Sequence, residues 1–277
     1  MKKMLIPIAI AACLLIIGIC FLIVGLAVND WKLSDPFYYG ERKTETLEGS
    51  YSSLDIDCEL ISVEILPAED GVTKVDYPVH SKIVVSCSIE NGKLTVDQQF
   101  LPHVSFWFHS PKIKIYVAGT PSVDVTTDTG AISLHDLTLS DCELSADTGA
   151  VHMENCEVDR LTLEAKTGAA RIEEVRARTI SCTTKTGAQK LTAISANTVK
   201  LIAQTGSIHA KKLEASYITA EASTGSVNLE ILGRKEEYTV WVDVDMGSKN
   251  ISNQHGTTDK TLNLKADTGS VHVTFDD

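Results

Sequence analysis

The 277-residue sequence is poor in basic residues. It contains 25 Lys and Arg against 37 Asp and Glu, which gives a formal net charge of −12 at pH 7. Lys2 and Lys3 are the only charged residues among the first 28, so the rest of the chain is more acidic still. An acidic body of this kind repels the phosphate backbone of DNA and RNA. Nucleic acid is therefore excluded as a partner.

Several motifs that hold cofactors or carry out catalysis are missing as well. The sequence has no P-loop, no dinucleotide-binding fingerprint and no nucleophile elbow. It has no C-x-x-C pair of the kind that binds zinc, and five cysteines after the N-terminal segment are an odd number for a disulfide framework. We expect neither a cofactor nor a bound metal, and we expect Cys142, Cys156 and Cys182 to be buried free thiols.

The N-terminus contains one long uncharged run. Met4 to Val28 spans 25 residues without a charge, and a helix of that length crosses the roughly 30 Å hydrocarbon core of a bilayer. Lys2 and Lys3 precede it, which keeps the N-terminus in the cytoplasm and sends the remainder outward. We predict a transmembrane anchor over residues 1–28 and a juxtamembrane linker over residues 29–43. Gly25-Leu26-Ala27 leaves cleavage by a signal peptidase open as an alternative.

The rest of the chain is dominated by a repeat of 19 residues. Within each repeat the apolar positions are two residues apart, which is the period of a β-strand, and skips of three indicate corners. We predict coils of three short strands that stack about 4.8 Å apart, with glycine at one corner because φ is positive there. The repeated Thr-Gly pairs are residues 129–130, 148–149, 167–168, 186–187, 205–206 and 224–225.

This pattern predicts an all-β parallel β-solenoid. Residues 112–277 are expected to form the solenoid repeats with a C-terminal cap. Residues 44–111 are expected to form an N-terminal β cap region, which includes a hairpin that turns at Asn91-Gly92. Capping is needed because an uncovered coil presents unpaired backbone groups to other chains.

Four features follow one another along the chain: Ser62-Val63-Glu64-Ile65, Glu90-Asn91-Gly92-Lys93-Leu94-Thr95-Val96, Lys112-Ile113-Lys114-Ile115-Tyr116-Val117 and the Thr-Gly-Ala/Ser turns. In this order they resemble the DUF4097 family of adhesin-like bacterial proteins, which includes the LiaG-like envelope proteins. The resemblance covers residues 44–277. It implies a right-handed β-solenoid on the outer side of a bacterial cell membrane, often behind a single N-terminal helix, and a role in envelope stress or surface contact. The family has no established catalytic residues to transfer.

One outward column of the predicted coils lacks acids although the chain is acidic. Like charges stacked on neighbouring strands destabilise each other by a few tenths of a kcal/mol. One hypothesis is that these cations bind a linear polyanion, such as a phosphate-rich wall polymer. The alternative is a solvated face of chance composition. The column reads Lys114, Ser133, His152, Arg171, Lys190, His209 and Asn228.

An aromatic cluster forms a second candidate contact. Phe106, Trp107 and Phe108 are consecutive and lie in the expected cap region. They either cover the open end of the solenoid or form an exposed contact for a partner or a membrane.

The D-T-G-[AS] signature of aspartic proteases occurs at Asp128, Asp147 and Asp267. That mechanism needs two carboxylates that share one proton. Lys166, Lys185, Gln204 and Ser223 stand at the equivalent position of other repeats, which is typical of a structural turn.

We therefore predict a non-enzymatic, membrane-anchored, extracytoplasmic β-solenoid that acts as an adhesin-like or envelope-sensing interaction module. Its expected partners are an envelope protein or an anionic wall polymer. The alternative is an extracytoplasmic hydrolase, either a polysaccharide-acting β-helix or a protease of the aspartic type.

Overall fold

The structure, a computed structural model, describes residues 41–80, 83–101 and 111–276. The predicted anchor, residues 29–40 of the predicted linker, and Phe106, Trp107 and Phe108 lie outside this part. The described residues include no helix that is long and apolar enough to cross a membrane.

Twenty β-strands and one 3₁₀ helix, Lys235–Glu237, make up the described chain. The strands are β1 (Arg42–Thr46), β2 (Ser53–Cys58), β3 (Ser62–Pro67), β4 (Lys74–Pro78), β5 (Ile83–Glu90), β6 (Lys93–Phe100), β7 (Lys112–Val117), β8 (Ser122–Thr129), β9 (Ile132–His135), β10 (Thr138–Thr148), β11 (Val151–Glu154), β12 (Glu157–Thr167), β13 (Ala170–Glu173), β14 (Arg176–Thr186), β15 (Gln189–Thr205), β16 (Ile208–Thr224), β17 (Val227–Leu232), β18 (Thr239–Met246), β19 (Thr261–Thr268) and β20 (Val271–Asp276).

The strands form two parallel ladders because each coil adds one strand, or one part of a long strand, to each ladder. The first ladder runs in the order β6, β2, β8, β10, β12, β14, β15, β16, β19, β18. The second ladder runs in the order β7, β3, β9, β11, β13, β15, β16, β17, β20. The predicted all-β parallel stack is confirmed.

The 19-residue repeat sets the register of the core. Leu144, Leu163, Cys182, Leu201 and Ala220 are partners on successive coils, and none is more than 1% exposed. Burial of a large apolar side chain of this kind contributes about 1.5–3 kcal/mol, so stacked coils share one aliphatic interior. The prediction of inward, buried thiols is also confirmed, because Cys142, Cys156 and Cys182 are free and at most 3% exposed.

The corners differ from the prediction in two respects. At the Thr-Gly corner φ is positive as predicted from Gly149 to Gly225, 151° at Gly168, and the threonines lie in register, but Gly130 does not share this φ. A second predicted corner, at the skip of three between Leu139 and Cys142, lies inside a continuous strand, because β10 and β12 stay paired on both sides of it. A further corner has positive φ at residues that are not glycine, namely Asp136, Asn155, Glu174, Ala193 and Lys212.

At both ends of the stack the spatial order of the coils differs from their order in the chain. The coil formed by β2 and β3 lies between two other coils. One of these is formed by β6 and β7, and the other by β8 and β9. At the other end, β19 is inserted between β16 and β18. Residues of the expected N-terminal cap region therefore contribute a full coil to the stack.

The ends of the stack are covered by antiparallel strands and by side chains. At the N-terminal end β5 pairs with β6 through the predicted hairpin, which is confirmed with positive φ at Asn91 and Gly92. Strands β4 and β1 cover the second ladder in the same way. At the C-terminal end the side-chain amide of Asn250 donates to the carbonyl of Val273 (2.8 Å) and accepts from its N–H (2.9 Å), as a neighbouring strand would.

Candidate functional site

The outward positions of the second ladder bring together four basic residues that the sequence singled out. His152 on β11, Arg171 on β13, Lys190 on β15 and His209 on β16 are in register on successive coils. Neighbouring strands are about 4.8 Å apart, so the four side chains form a row, called the basic column below. Arg171 and Lys190 are each 53% exposed. Both charges can therefore reach a ligand in solution.

Glu173 lies on β13 beside the basic column and was missed as part of it. Its carboxylate is 3.7 Å from Nε2 of His152, 3.9 Å from Nε of Arg171 and 3.8 Å from Nζ of Lys190. Loose pairs between exposed groups contribute about 0–1 kcal/mol. Because one carboxylate faces two fully charged cations, Arg171 and Lys190 together retain positive charge at this surface.

Lys114 does not belong to the basic column, although it was predicted to stand directly before Ser133. Strand β3 is inserted between β7 and β9, so Glu64 is the register partner of both residues. Its carboxylate pairs with Nζ of Lys112 (3.4 Å) and of Lys114 (3.2 Å). Burial acts to raise the pKa of Glu64, but the two ammonium groups outweigh it and lower that pKa below its ordinary value. The prediction was wrong because it assumed that coils stack in chain order.

Acidic residues gather on the outer face of the first ladder, near its N-terminal end. Asp57 faces Asp97, and Asp124 lies between Asp55 and Glu143. Partial burial, and then the neighbouring carboxylates, raise the pKa values of Asp57 and Asp124 above the ordinary value. These acids lie on the first ladder, whereas the basic column lies on the second.

The D-T-G turns do not bring two free carboxylates together. Asp147 pairs with Lys166 on the next coil at 2.5 Å, and Asp267 pairs with Lys265 at 3.0 Å. Both of these carboxylates contact an ammonium group, whereas the protease mechanism requires a second carboxylate as the immediate partner. This pairing favours a structural role for the turns.

A surface groove of about 620 Å³ crosses the coils where the side chains of the repeat become small. The inward column changes there from Val158 to Ala177 and Ala196. The guanidinium of Arg178 donates two hydrogen bonds to Asp159, of 2.7 and 2.8 Å, and lowers its pKa. These opposite charges compensate each other within the groove.

Sequence reasoning also missed a cluster of metal-ligand side chains. One ligand atom from each of His135, His152 and Glu154 lies within 4.8 Å of the other two. The 19-residue repeat contains the signal that could have found it. Residues 135 and 154 share one outward column, and residue 152 lies two positions before 154 on the same face of its strand.

The thiols of the described residues are poor nucleophiles. Cys58, Cys142, Cys156 and Cys182 are buried, and burial raises the pKa of Cys182 to about 12. A thiol of such high pKa has almost no thiolate at neutral pH. The described cysteines therefore serve as core side chains.

The fold and its charged outer faces define a class of protein, an all-β parallel stack of coils that exposes long columns of side chains. Within this class the chain belongs to the Toastrack DUF4097 family, whose model matches residues 51–276. This confirms the resemblance stated for the sequence. No curated protein matches the chain.

Three solved structures show the same fold at low sequence identity. A "putative adhesin" from Bacteroides fragilis is 15% identical, with a TM-score of 0.57 over 85% of this chain and 98% of its own. A "putative adhesin" from Parabacteroides merdae is 16% identical, with a TM-score of 0.53 over 85% and 97%. A "putative lipid binding protein" from Parabacteroides distasonis is 13% identical, with a TM-score of 0.54 over 85% and 97%.

Proposed function

We propose that this protein is a non-enzymatic, adhesin-like or envelope-sensing module that binds a linear polyanion through its basic column. The right-handed solenoid is held outside the bacterial cell membrane by the N-terminal anchor. The observation that carries the proposal is the alignment of Arg171 and Lys190 on neighbouring coils, each half-exposed, on an otherwise acidic chain. A polymer with regularly spaced phosphates meets a regularly spaced row of cations, and charge complementarity of this kind guides association.

Binding of immobilised poly(glycerol phosphate) by the full chain in detergent tests the proposal. The variant Arg171→Glu/Lys190→Glu reverses two charges of the basic column. Its matched control, Lys185→Glu/Lys200→Glu, makes the same change of net charge on the first ladder, where both residues are outward.

We expect the wild type and the control to bind, with an affinity that falls as salt is added. The affinity of the basic-column variant should be lower by about tenfold or more, because each charge-assisted hydrogen bond contributes about 1.5–3 kcal/mol. Equal losses of affinity in the two double variants would show that binding depends only on net charge and not on the basic column. Unchanged binding by the basic-column variant would contradict the proposal.

The topology is tested separately on intact cells. A protease added outside should remove a C-terminal epitope tag while the protein sediments with the membrane fraction. Protection of the tag, or release of the whole chain into the soluble fraction, would contradict an outward domain on an uncleaved anchor.

A further inference from the structure

Two histidines and a glutamate meet on the outer face of the second ladder. His135 is the last residue of β9, and its register partner on the next coil is Glu154, the last residue of β11. His152 lies two residues before Glu154 and therefore on the same side of the strand. The two imidazoles are half-buried and the Glu154 side chain is 48% exposed. All three residues stand on paired strands, which hold their backbones at fixed spacing.

The distances among the three side chains suit a shared ion. Nδ1 of His135 is 3.3 Å from a carboxylate oxygen of Glu154, and one ligand atom from each of the three residues lies within 4.8 Å of the others. The two imidazole rings meet edge to face, with centroids 5.3 Å apart. Tetrahedral zinc with bonds of about 2.0–2.2 Å separates its ligands by about 3.4 Å. Small side-chain rotations therefore suffice to close the site.

The Nε2 atom of His152 supplies a second, independent observation. It is buried from solvent and makes no hydrogen bond to any part of the chain that the structure describes. The carboxylate of Glu173 lies 3.7 Å away, beyond hydrogen-bond distance. A buried ring nitrogen without a partner destabilises the fold, and a metal ion would accept its lone pair.

We propose that His135, His152 and Glu154 bind one divalent transition-metal ion, with Zn²⁺ as the best match. Two imidazoles and one carboxylate are the donors that Zn²⁺ favours, whereas Ca²⁺ and Mg²⁺ prefer oxygen alone. The fourth position is open to water or to Glu173, which follows Glu154 in the same column. The ion would link two coils and would add positive charge beside Arg171.

Competition for Zn²⁺ with a chromogenic chelator, on the full chain in detergent, tests the site. We expect one Zn²⁺ per chain. His135→Ala and His152→Ala should each weaken binding by at least about tenfold, since loss even of a residue that only supports a ligand has an effect of this size. His209→Ala is the matched control, because His209 occupies the column of His152 on a later coil and lies outside the cluster.

Two further measurements keep the test independent of folding. Without metal the alanine substitutions should not lower the unfolding temperature, because all three positions face outward and His152→Ala also removes the unpaired ring nitrogen. Addition of Zn²⁺ should raise the unfolding temperature of the wild type and of His209→Ala but not of His152→Ala. Failure of the wild type to bind Zn²⁺, or equal binding by His152→Ala, would overturn the site. Neither result depends on whether the basic column binds a polyanion.

Discussion

Gly168 lies against Gly149 of the preceding coil so closely that a β-carbon on Gly168 would be 1.8 Å from the Gly149 carbonyl oxygen. The same overlap recurs at the Thr-Gly corner of the neighbouring coils, at 1.9 Å for Gly149 and 1.8 Å for Gly187. The glycines therefore serve two purposes. They allow a positive φ, and they let the backbones of neighbouring coils pack without a side chain between them.

Gly168→Ala is expected to destabilise the protein by about 3 kcal/mol or more. The new methyl group would overlap backbone atoms that cannot move without breaking the stack, and φ near 150° is unfavourable for alanine. Thermal unfolding followed by circular dichroism measures the effect.

Gly71→Ala is the matched control for this substitution. Gly71 also has a positive φ, of 69°, but a β-carbon added there would meet nothing within 4 Å. Gly71→Ala should therefore destabilise the protein by only about 1 kcal/mol, which is the strain of the backbone alone. Similar losses for the two variants would show that close approach between coils contributes little.

The regular part of the fold could be predicted because every coil obeys the same local rule. The period-two apolar positions and the Thr-Gly spacing determine the register of Leu144 with Leu163 and of Thr148 with Thr167. The positive φ at Ala193 could not be predicted in this way, because alanine has no preference for that conformation and the structure of its coil imposes it.

Ala193→Gly is expected to stabilise the protein by up to about 1.5 kcal/mol. Glycine removes roughly 1–2 kcal/mol of left-handed strain, and its greater freedom in the unfolded chain offsets about 0.5–1 kcal/mol of that gain. Ala196→Gly is the control, since Ala196 lies in the same strand without a positive φ and should lose stability. A loss in both variants would mean that Ala193 is not strained.

Asp57→Asn should stabilise the protein near neutral pH by about 0.2–1 kcal/mol, the range for like charges on facing strands. Partial burial and the carboxylates of Asp97 and Asp128 raise the pKa of Asp57 in the folded state, so the folded protein binds its proton more tightly than the unfolded chain does. The charged form therefore destabilises the fold at pH values above that raised pKa. The advantage of asparagine should vanish as the pH falls through the folded and then the unfolded pKa.

Unfolding measured from pH 7 down to pH 3 checks this dependence. Asp243→Asn is the matched control, because Asp243 lies at the other end of the same ladder and faces Lys265 instead of an acid. Asp243→Asn should not be more stable than the wild type at neutral pH. An advantage of Asp57→Asn that persists at the acidic end would show that its origin is not the charge.

The parts of the candidate site that could not be predicted depend on the spatial order of the coils and on the directions of side chains. Glu64 reaches Lys114 only because β3 is inserted into the stack out of chain order, and no period in the sequence indicates this insertion. Glu173 joins the basic column from a neighbouring outward column, which requires side-chain directions as well as register.

Gln189 is a polar residue in the aliphatic interior, between Ala170 and Ile208, and it is fully buried. Its Nε2 donates to the carbonyls of Ile202 (2.6 Å) and Cys182 (3.2 Å) and to Oγ1 of Thr184 (3.2 Å), but its Oε1 has no partner among the described residues. An unsatisfied buried acceptor costs about 1–3 kcal/mol. We therefore expect Gln189→Met, of similar length, to raise the free energy of unfolding by about 1 kcal/mol, measured by thermal unfolding. Gln189→Ala should lower it through the cavity that it leaves. If methionine is as destabilising as alanine, the hydrogen bonds of Gln189 outweigh its unpaired oxygen, and the coil requires a polar residue at this position.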